Sequence, residues 1–111
     1  MKKFTEDDCT IYVGENATEN FEVIDIAKQS KNALWFHVRD IPSGHVVIIP
    51  NDPNETPSKK SIKLAAEYTK QQSKLKHVHK LTIQYLNIQH VRKTLKPGMV
   101  LITKAPSYII V

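Results

Sequence analysis

The segment LWFHVRDIPSGHVVII, residues 34–49, decides how this chain folds. Its two ends, residues 34–38 and 45–49, consist mostly of aromatic, β-branched and aliphatic residues, which favour β-strands. Residues 42–44, Pro-Ser-Gly, are a turn signal between them, so the segment predicts a β-hairpin. The second strand has no polar residue after His45, and this predicts a place in the interior of a sheet.

Four more strands are predicted outside this hairpin. Residues 10–13 form a short apolar and aromatic run, and residues 81–85 alternate between apolar and polar side chains. Both patterns are typical of strands. Near the C-terminus, two apolar runs at 99–103 and 108–111 flank residues 105–107, Ala-Pro-Ser. We expect these two runs to pair with each other as a closing hairpin.

Two helices are predicted, one in each half of the chain. A short helix covers residues 21–28, with Asn20 as its capping residue. A long helix covers residues 57–76 and begins at Thr56-Pro57, because a hydroxyl caps a helix and proline suits its first position. The order strands, helix, strands predicts an α+β fold with a mixed or antiparallel sheet. We expect one domain spanning residues 1–111.

The composition agrees with a small globular domain. The chain has 111 residues, of which 41% are hydrophobic and 24% are charged. No apolar run approaches the roughly 20 residues that a membrane-spanning helix needs, and no signal sequence is recognisable. The single cysteine, Cys9, cannot form an internal disulfide, which suits a reducing compartment. We therefore expect a cytoplasmic protein without a membrane partner.

Charge is distributed unevenly along the chain. Residues 1–56 hold five Lys or Arg and ten Asp or Glu, a net charge of −5, whereas residues 57–111 hold eleven and one, a net charge of +10. A strongly positive half attracts polyanions such as nucleic acids. The basic residues beyond Pro57 are expected to converge into one continuous cationic surface that borders the strand containing Trp35.

The predicted strand at residues 34–38 suggests a binding surface of its own. Because side chains alternate along a strand, Trp35, His37 and Arg39 share one face, and Phe36 and Val38 point to the other, as core residues. A row of Trp, His and Arg could stack on bases and contact phosphate. The alternative is that Trp35 packs inside the protein and His37 hydrogen-bonds to the backbone.

A second basic segment precedes a turn near the C-terminus. Residues 86–96 are predicted to be a loop with a short turn, and Pro97-Gly98 predicts a tight turn with Gly98 at positive φ. Loops that display several cations often contact phosphate, although a solvated charged loop is the alternative. The candidate nucleic-acid-binding residues are Trp35, His37, Arg39, His45, Lys74, Lys76, His90, Arg92, Lys93 and Lys96.

The sequence offers no support for catalysis or metal binding. Asp40, Ser43 and His45 lie too close along the chain for a catalytic triad, and no strand-to-helix elbow surrounds the serine. His77 and His79 lie among lysines, which predicts a basic edge and not a zinc site. We expect no catalytic residues, no metal and no cofactor, and hence a protein that is not an enzyme.

Taken together, the motifs resemble the NFACT-R domain family. The resemblance extends from Thr10 to Val111, with the motifs in the family's order, and it includes most of the hairpin predicted at residues 34–49. The matching segments are Ile11–Asn20, Trp35–Val46, Ala65-Ala66, Tyr68-Thr69, Ile83–Tyr85, Val91–Lys93 and Lys96–Val100.

The resemblance implies an RNA-binding module. In the family this domain occurs in proteins of ribosome-associated quality control, which bind split large ribosomal subunits carrying peptidyl-tRNA. What the resemblance carries over is the module itself, with contacts from the Trp35–His45 hairpin and the Arg92–Gly98 loop. Our leading hypothesis is that it binds structured RNA, either tRNA or a surface of the large ribosomal subunit. The alternatives are a DNA-binding or DNA-sensing module, and a protein-interaction module that docks on a ribosomal protein.

Overall fold

A computed structural model describes all 111 residues and contains eight strands and two helices. Neither helix is long and apolar enough to cross a bilayer. In chain order the elements are β1 Lys2–Thr5, β2 Cys9–Val13, α1 Ala17–Ala27, β3 Leu34–Val38, β4 Val46–Pro50, α2 Lys59–Gln71, β5 Thr82–Asn87, β6 Val91–Lys93, β7 Val100–Ile102 and β8 Ser107–Ile110.

Six strands form one antiparallel sheet, in the order β1-β2-β4-β3-β5-β8, and β6 and β7 form a separate hairpin. The predicted α+β class is confirmed, and so is the hairpin formed by residues 34–49, since β3 and β4 are antiparallel neighbours with Leu34 opposite Ile48. β4 lies between β2 and β3, as its uninterrupted apolar sequence predicts.

One helix covers each face of the sheet. Phe36 and Val38 of β3 belong to a core cluster with Ala65 and Ala66 of α2. Trp35, on the opposite face of the same strand, belongs to a second cluster that includes residues of α1, β4 and β6. We call the two sides the α2 face and the α1 face. The small β6–β7 hairpin lies on the α1 face.

The helix α1 begins earlier than predicted because a different residue caps it. Asn16, and not Asn20, is the capping residue, and its side chain accepts a hydrogen bond from the Glu19 backbone N–H at 2.9 Å. The Glu19 carboxylate in turn accepts from the Glu15 N–H at 3.0 Å. The Asn16 bond satisfies one of the backbone donors that a helix leaves unpaired at its start, and the Glu19 bond fixes the residue before the cap.

The helix α2 also begins at a capping residue that the prediction missed. Ser58 caps it in place of Thr56, and the Ser58 hydroxyl accepts from the Ser61 N–H at 3.2 Å. Ser61 donates its own hydroxyl to the Asp8 carboxylate at 2.8 Å, which ties the start of the helix to the loop before β2.

The end of α2 lies at Gln71, well before the predicted residue 76. Just beyond it, the Ser73 hydroxyl donates to the Lys70 carbonyl at 2.8 Å and accepts from the Leu75 N–H at 3.1 Å. These side-chain bonds compete with the helical pattern, so the chain turns away. The resulting turn carries Lys74 and Lys76.

The predicted closing hairpin is wrong. β7 pairs with β6, with Val91 opposite Ile102, and β8 pairs with β5, with Ile83 opposite Ile109. The loop predicted at residues 86–96 therefore contains the end of β5, a 3-10 turn and β6. The strand β1 was not predicted at all, since its sequence is short and half of it is lysine.

The predicted turn at Pro97-Gly98 is present and places the β6–β7 hairpin against α1. Gly98 has φ +81°, a left-handed conformation that glycine adopts without steric cost. A Cβ on Gly98 would lie 3.1 Å from Ala17 Cβ. The tip of the hairpin therefore depends on glycine both for its turn and for its close approach to α1.

The start of β4 is held by α1 and by the loop that leads into it. Asn20 Oδ1 accepts from the His45 backbone N–H at 3.0 Å, and the Gly14 N–H donates to the His45 carbonyl at 2.8 Å. Asn20 and His45 are both buried. A Cβ on Gly14 would approach Asn20 Oδ1 to 2.4 Å, so this contact also requires glycine.

We expect Asn20→Ala to lower the free energy of unfolding by about 2 kcal/mol, because it leaves a buried backbone N–H without a partner. Urea denaturation checks this. Asn54→Ala, at an exposed loop position, is the control and should change the free energy by less than about 0.5 kcal/mol. Equal effects of the two substitutions would contradict the importance of the Asn20–His45 bond.

Candidate nucleic-acid interface

Trp35, His37 and His45 form an aromatic cluster between β3 and the start of β4. The Trp35 indole Nε1–H donates to His45 Nδ1 at 3.2 Å. The Trp35 and His37 rings are stacked, with centroids 5.5 Å apart and an angle of 9° between the rings. The His45 ring meets both of them edge-on, at 5.4 and 5.1 Å. Three side chains from the hairpin thus hold one another in position.

The prediction that Trp35 stacks on a base needs correction. Only 1% of Trp35 is exposed, because the α1 face of β3 is covered there by α1 and β6. Its stacking surface is occupied by His37 and by its core neighbours. Trp35 therefore packs inside the protein, as the alternative interpretation of the sequence had it, and from there it positions the two histidines.

Hydrogen bonds define which ring nitrogen of each histidine carries the proton. His45 Nδ1 accepts from the indole N–H, which leaves the proton on Nε2. His37 Nδ1 lies 2.6 Å from the Val38 carbonyl oxygen, which can only accept, so Nδ1 carries the proton and Nε2 is an acceptor. The alternative of a backbone hydrogen bond for His37 is thus the one that the structure shows.

Both histidines are neutral at physiological pH. Burial lowers the pKa of His45 to about 3, and the neighbouring His37 contributes to this shift. Burial also lowers the pKa of His37, against a smaller opposite effect of its bond to the Val38 carbonyl. The cluster therefore presents uncharged donors and acceptors, and neither ring serves as a cation for phosphate.

Beyond the aromatic cluster, the α1 face of the sheet is open. His37, Gln84 and Tyr108 lie side by side on β3, β5 and β8, and they share this face. Tyr108 is 51% exposed, and Ile110 of the same strand is exposed as well. α1 packs mainly on β4, with further contacts to β2, β3 and β6. On this face β8 is exposed and Gln84 of β5 is half-buried, whereas Leu86 of β5 is covered by the α1-face core. We call His37, Gln84, Tyr108 and Arg39 the open sheet face.

Arg39 extends this surface with a positive charge. Its guanidinium lies over the Tyr108 ring, 4.8 Å from the centroid, and Arg39 Nε is 3.4 Å from Asp40 Oδ2. A guanidinium stacked on an exposed aromatic ring offers both charge and a flat surface. The sequence pattern pointed to Arg39 and missed Tyr108 and Gln84, because β8 was assigned to the wrong partner strand.

The β6–β7 hairpin adds cations of two kinds. Arg92 and Lys96 are exposed and make no ion pair. Lys93 instead points toward α1, where its Nζ lies 2.7 Å from Asp25 Oδ1 and 5.4 Å from the centre of the Phe21 ring. Its charge is thus largely compensated within the protein.

A lysine that the sequence pattern did not single out lies beside this hairpin. Burial lowers the pKa of Lys28, which follows α1, and the nearby charge of Arg92 lowers it further. Two cations that repel each other in this way would gain from a shared anion.

His90, in the 3-10 turn before β6, is half-buried, and its carbonyl accepts from the Thr103 N–H.

The basic residues of α2 and of the turn that follows it lie on the other side of the molecule. Lys59 and Lys63 are exposed on α2, which covers the α2 face. Lys74 and Lys76 are exposed in the following turn, where Leu75 between them packs against the α2-face core. The expected single cationic surface is therefore wrong, because the sheet separates the α2 lysines from the hairpin cations.

These features define a small α+β binding module with a partly open sheet face, a buried aromatic cluster beside it and flanking cations. The chain belongs to the NFACT-R family, since the family model described as the NFACT protein RNA binding domain matches residues 1–104. The resemblance drawn from the sequence motifs is thereby confirmed.

Relatives and a solved structure agree with this assignment. The chain is 34% identical over 93 residues to the Rqc2 homolog RqcH of Bacillus subtilis (strain 168), and the match spans 82% of this chain but 15% of that protein. It is 33% identical over 99 residues to the Rqc2 homolog RqcH of Streptococcus suis, covering 86% and 17%. The chain thus spans a small part of the length of these curated relatives.

The fold is also found in a solved structure. It matches the C-terminal part of the fibronectin/fibrinogen-binding protein from Streptococcus suis with a TM-score of 0.83 and 29% sequence identity. The match covers 98% of this chain and 44% of that one.

We expect mild acid to weaken folding through the buried histidines. The pKa of His45 in the folded protein, about 3, lies below the ordinary 6.5, so the unfolded chain binds the proton more readily as pH falls. The stability contributed by neutral His45 is complete above pH 6.5 and is lost below it, by up to about 1.4 kcal/mol per pH unit. The lowered pKa of His37 acts in the same direction.

Urea denaturation at pH 7, 6 and 5 measures this loss. Asp8 and Glu19 contribute little to the change in this range, because their pKa values are lowered from ordinary values of 3.8 and 4.5, which already lie below pH 5. His45→Gln keeps an acceptor for the Trp35 indole and cannot titrate, so its pH dependence should be smaller. A wild-type free energy of unfolding that is equal at pH 7 and pH 5 would contradict the assignment of a buried neutral His45.

Proposed function

We propose that this chain binds RNA through the open sheet face and the exposed cations beside it. The observation that carries the proposal is the Arg39 guanidinium stacked over the exposed Tyr108 ring, on a sheet surface that the helices leave uncovered. The family model, described as an RNA-binding domain, supports the same function.

The open sheet face has the features that unpaired RNA needs. RNA sequences are recognised mostly in single-stranded loops and bulges, whose bases stack on aromatic side chains or guanidinium planes. Tyr108 and Arg39 supply such planes, and Gln84 and His37 lie next to them with neutral polar groups. Arg92 and Lys96 on the β6–β7 hairpin would contact phosphates on one side of this surface.

We further propose that the RNA is tRNA or a surface of the large ribosomal subunit, in ribosome-associated quality control. The similarity to proteins named as Rqc2 homologues supports this context. Of the cations named from the sequence, Arg39, Arg92 and Lys96 belong to the proposed interface. Lys74 and Lys76 belong to the turn after α2 and would be a separate contact.

The arrangement favours binding without catalysis. The Ser43 hydroxyl accepts from the Val38 N–H at 3.2 Å and donates to the Gly44 carbonyl at 3.2 Å. His45 Nδ1 is engaged by Trp35. The serine and the histidine thus have other partners and do not form a nucleophile and base, so the proposal assigns them no catalytic role.

One observation favours a protein partner as the second candidate. The β6–β7 hairpin exposes three large apolar side chains, namely Leu95, Met99 and Leu101. Exposed apolar groups close together often mark an interaction surface. Binding that depends on Leu95 and Leu101 but not on Tyr108 or Arg39 would favour docking on a protein over RNA binding.

We expect Tyr108→Ala to weaken binding of single-stranded RNA by about 1–3 kcal/mol, the usual contribution of one base stacked on an aromatic ring. Fluorescence anisotropy with a labelled oligonucleotide measures the affinity. Tyr108→Phe retains the ring and should bind nearly as well as the wild type. Unchanged affinity in Tyr108→Ala would exclude this ring from the interface.

Removing the hairpin cations should reduce the salt dependence of binding. Each lost phosphate contact with a single strand lowers the slope of log K against log salt by about 0.7. We therefore expect a decrease of about 1.4 when Arg92→Ala and Lys96→Ala are combined. Lys59→Ala with Lys63→Ala, on α2, removes the same charge and is the control. A larger effect of the control pair would place the RNA on the α2 side.

Competition among single-stranded RNA, single-stranded DNA of the same sequence, tRNA and duplex DNA separates RNA binding from the DNA-binding alternative. Phosphate contacts are common to all four, and only base and 2′-hydroxyl contacts discriminate between them. The proposal requires that RNA competes better than DNA at physiological salt. Stronger competition by duplex DNA would favour the DNA-sensing alternative instead.

A further inference from the structure

A pocket of about 390 Å³ opens beside the open sheet face. Its base is formed by the aromatic cluster and Gln84, one wall by the loop between β3 and β4, and the other wall by β7 and the turn before it. We call it the histidine pocket. The residues lining it are Trp35, His37, Asp40, Ile41, Pro42, His45, Gln84, Gly98, Met99, Val100 and Ile102.

The first indication of a ligand is an unused donor on a buried side chain. His45 is only 2% exposed, and its Nε2, which carries the proton, makes no hydrogen bond within the chain. The Ser30 hydroxyl is the single side-chain polar atom that is both fully buried and without a partner. His45 Nε2 therefore retains contact with the surface, and the pocket is the opening that His45 lines.

The second indication is that acceptors lie beside this donor. The His37 ring meets the His45 ring edge-on at 5.1 Å, and its Nε2 is an acceptor because Nδ1 is bonded to the Val38 carbonyl. Gln84 is directly opposite His37 in the sheet, and its amide both donates and accepts. A ligand with a neighbouring donor and acceptor along one edge could use all three groups.

The charge of the pocket excludes a phosphate as its main occupant. No lysine or arginine lines it, and both histidines are neutral because burial lowers their pKa values. The one charged lining group, Asp40, is an anion that would repel phosphate. The polar groups thus suit an uncharged ligand that is recognised through hydrogen bonds.

The apolar walls suit a flat ring. Ile41 and Pro42 line one side, and Met99 and Val100 line the other, so a planar group could lie between them. Met99 is exposed and flexible, and methionine adapts well to aromatic surfaces. Pockets of this kind, mostly apolar with a few convergent polar groups, are typical of small-molecule and cofactor sites.

We propose that the histidine pocket holds one unpaired nucleobase, turned out of the RNA that the open sheet face binds. This inference rests on the proposed function, and it adds a base-recognition site to it. His45 Nε2–H donates to an acceptor on the base edge, His37 Nε2 accepts from a base amino or imino group, and Gln84 completes the contact. The phosphates of the same strand remain outside, near Arg39 and Lys96.

Two blunt-ended RNA duplexes, one of which carries a single bulged nucleotide, test the proposal. The duplex with the unpaired nucleotide should bind at least about fivefold more tightly than the fully paired one, since one stacked base contributes at least this much. Gln84→Ala should reduce the ratio of the two affinities to about one, because it weakens binding of the RNA with the unpaired nucleotide more than binding of the fully paired RNA. Gln71→Ala, an exposed glutamine at the end of α2, should retain the difference.

His37→Ala is a second variant that should also remove the difference, and urea denaturation checks that it folds. If His37→Ala unfolds, Gln84→Ala still tests the pocket. Equal affinity for the two RNAs overturns the pocket but leaves RNA binding intact. Binding of neither RNA overturns both proposals. Adenosine and uridine monophosphates form a separate arm: saturable binding of either, without preference for the unpaired RNA, would assign the pocket to a free nucleotide and overturn the RNA form of the proposal.

Discussion

The hydrogen bond from the Trp35 indole to His45 Nδ1 is the contact on which the rest of the site depends. It joins β3 to the residue just before β4, and it determines the tautomer of a histidine whose burial keeps it neutral. The backbone of His45 is held as well, by Asn20 and by Gly14. Because Trp35 is enclosed in the α1-face core, the core itself aligns the imidazoles. A polar site is thereby oriented by apolar packing.

Much of the fold could be predicted from local sequence. Residues 34–49 have a strand, a turn and a strand in plain order, and the uninterrupted apolar run after His45 requires an interior position. The predictions that were wrong concern strand pairing, which depends on contacts between residues far apart in the sequence. The runs at 99–103 and 108–111 are adjacent in sequence and both suit a strand, but each pairs with a different strand. The helix boundaries differ from the predicted ones because serine and asparagine side chains, and not the apolar periodicity, determine where a helix begins and ends.

The candidate site was predictable in part, for a similar reason. Alternation along β3 correctly placed Trp35, His37 and Arg39 on one face, but it could not show that the first of them is covered and the last exposed. Tyr108 escaped notice because its role depends on which strand lies beside it. The charge count correctly showed a basic half, but counting cannot reveal that a six-stranded sheet separates the lysines of α2 from the cations of the β6–β7 hairpin. Lys93 illustrates the same limit, since its ion pair with Asp25 is a tertiary contact.

Because β6 and β7 are separate from the main sheet, this hairpin can detach more easily than a strand of the sheet can. No strand of the main sheet forms backbone hydrogen bonds with the β6–β7 hairpin. The hairpin packs on its neighbours through side chains such as Val91, Val100 and Ile102. Lifting it away would leave all backbone bonds between the six strands intact, so its detachment costs less than opening the sheet. The β6–β7 hairpin forms one wall of the cavity, and the opposite wall is the loop between β3 and β4. Because Val91 of β6 also packs in the core cluster around Trp35, a movement of this hairpin changes both the shape of the cavity and the packing behind the imidazoles.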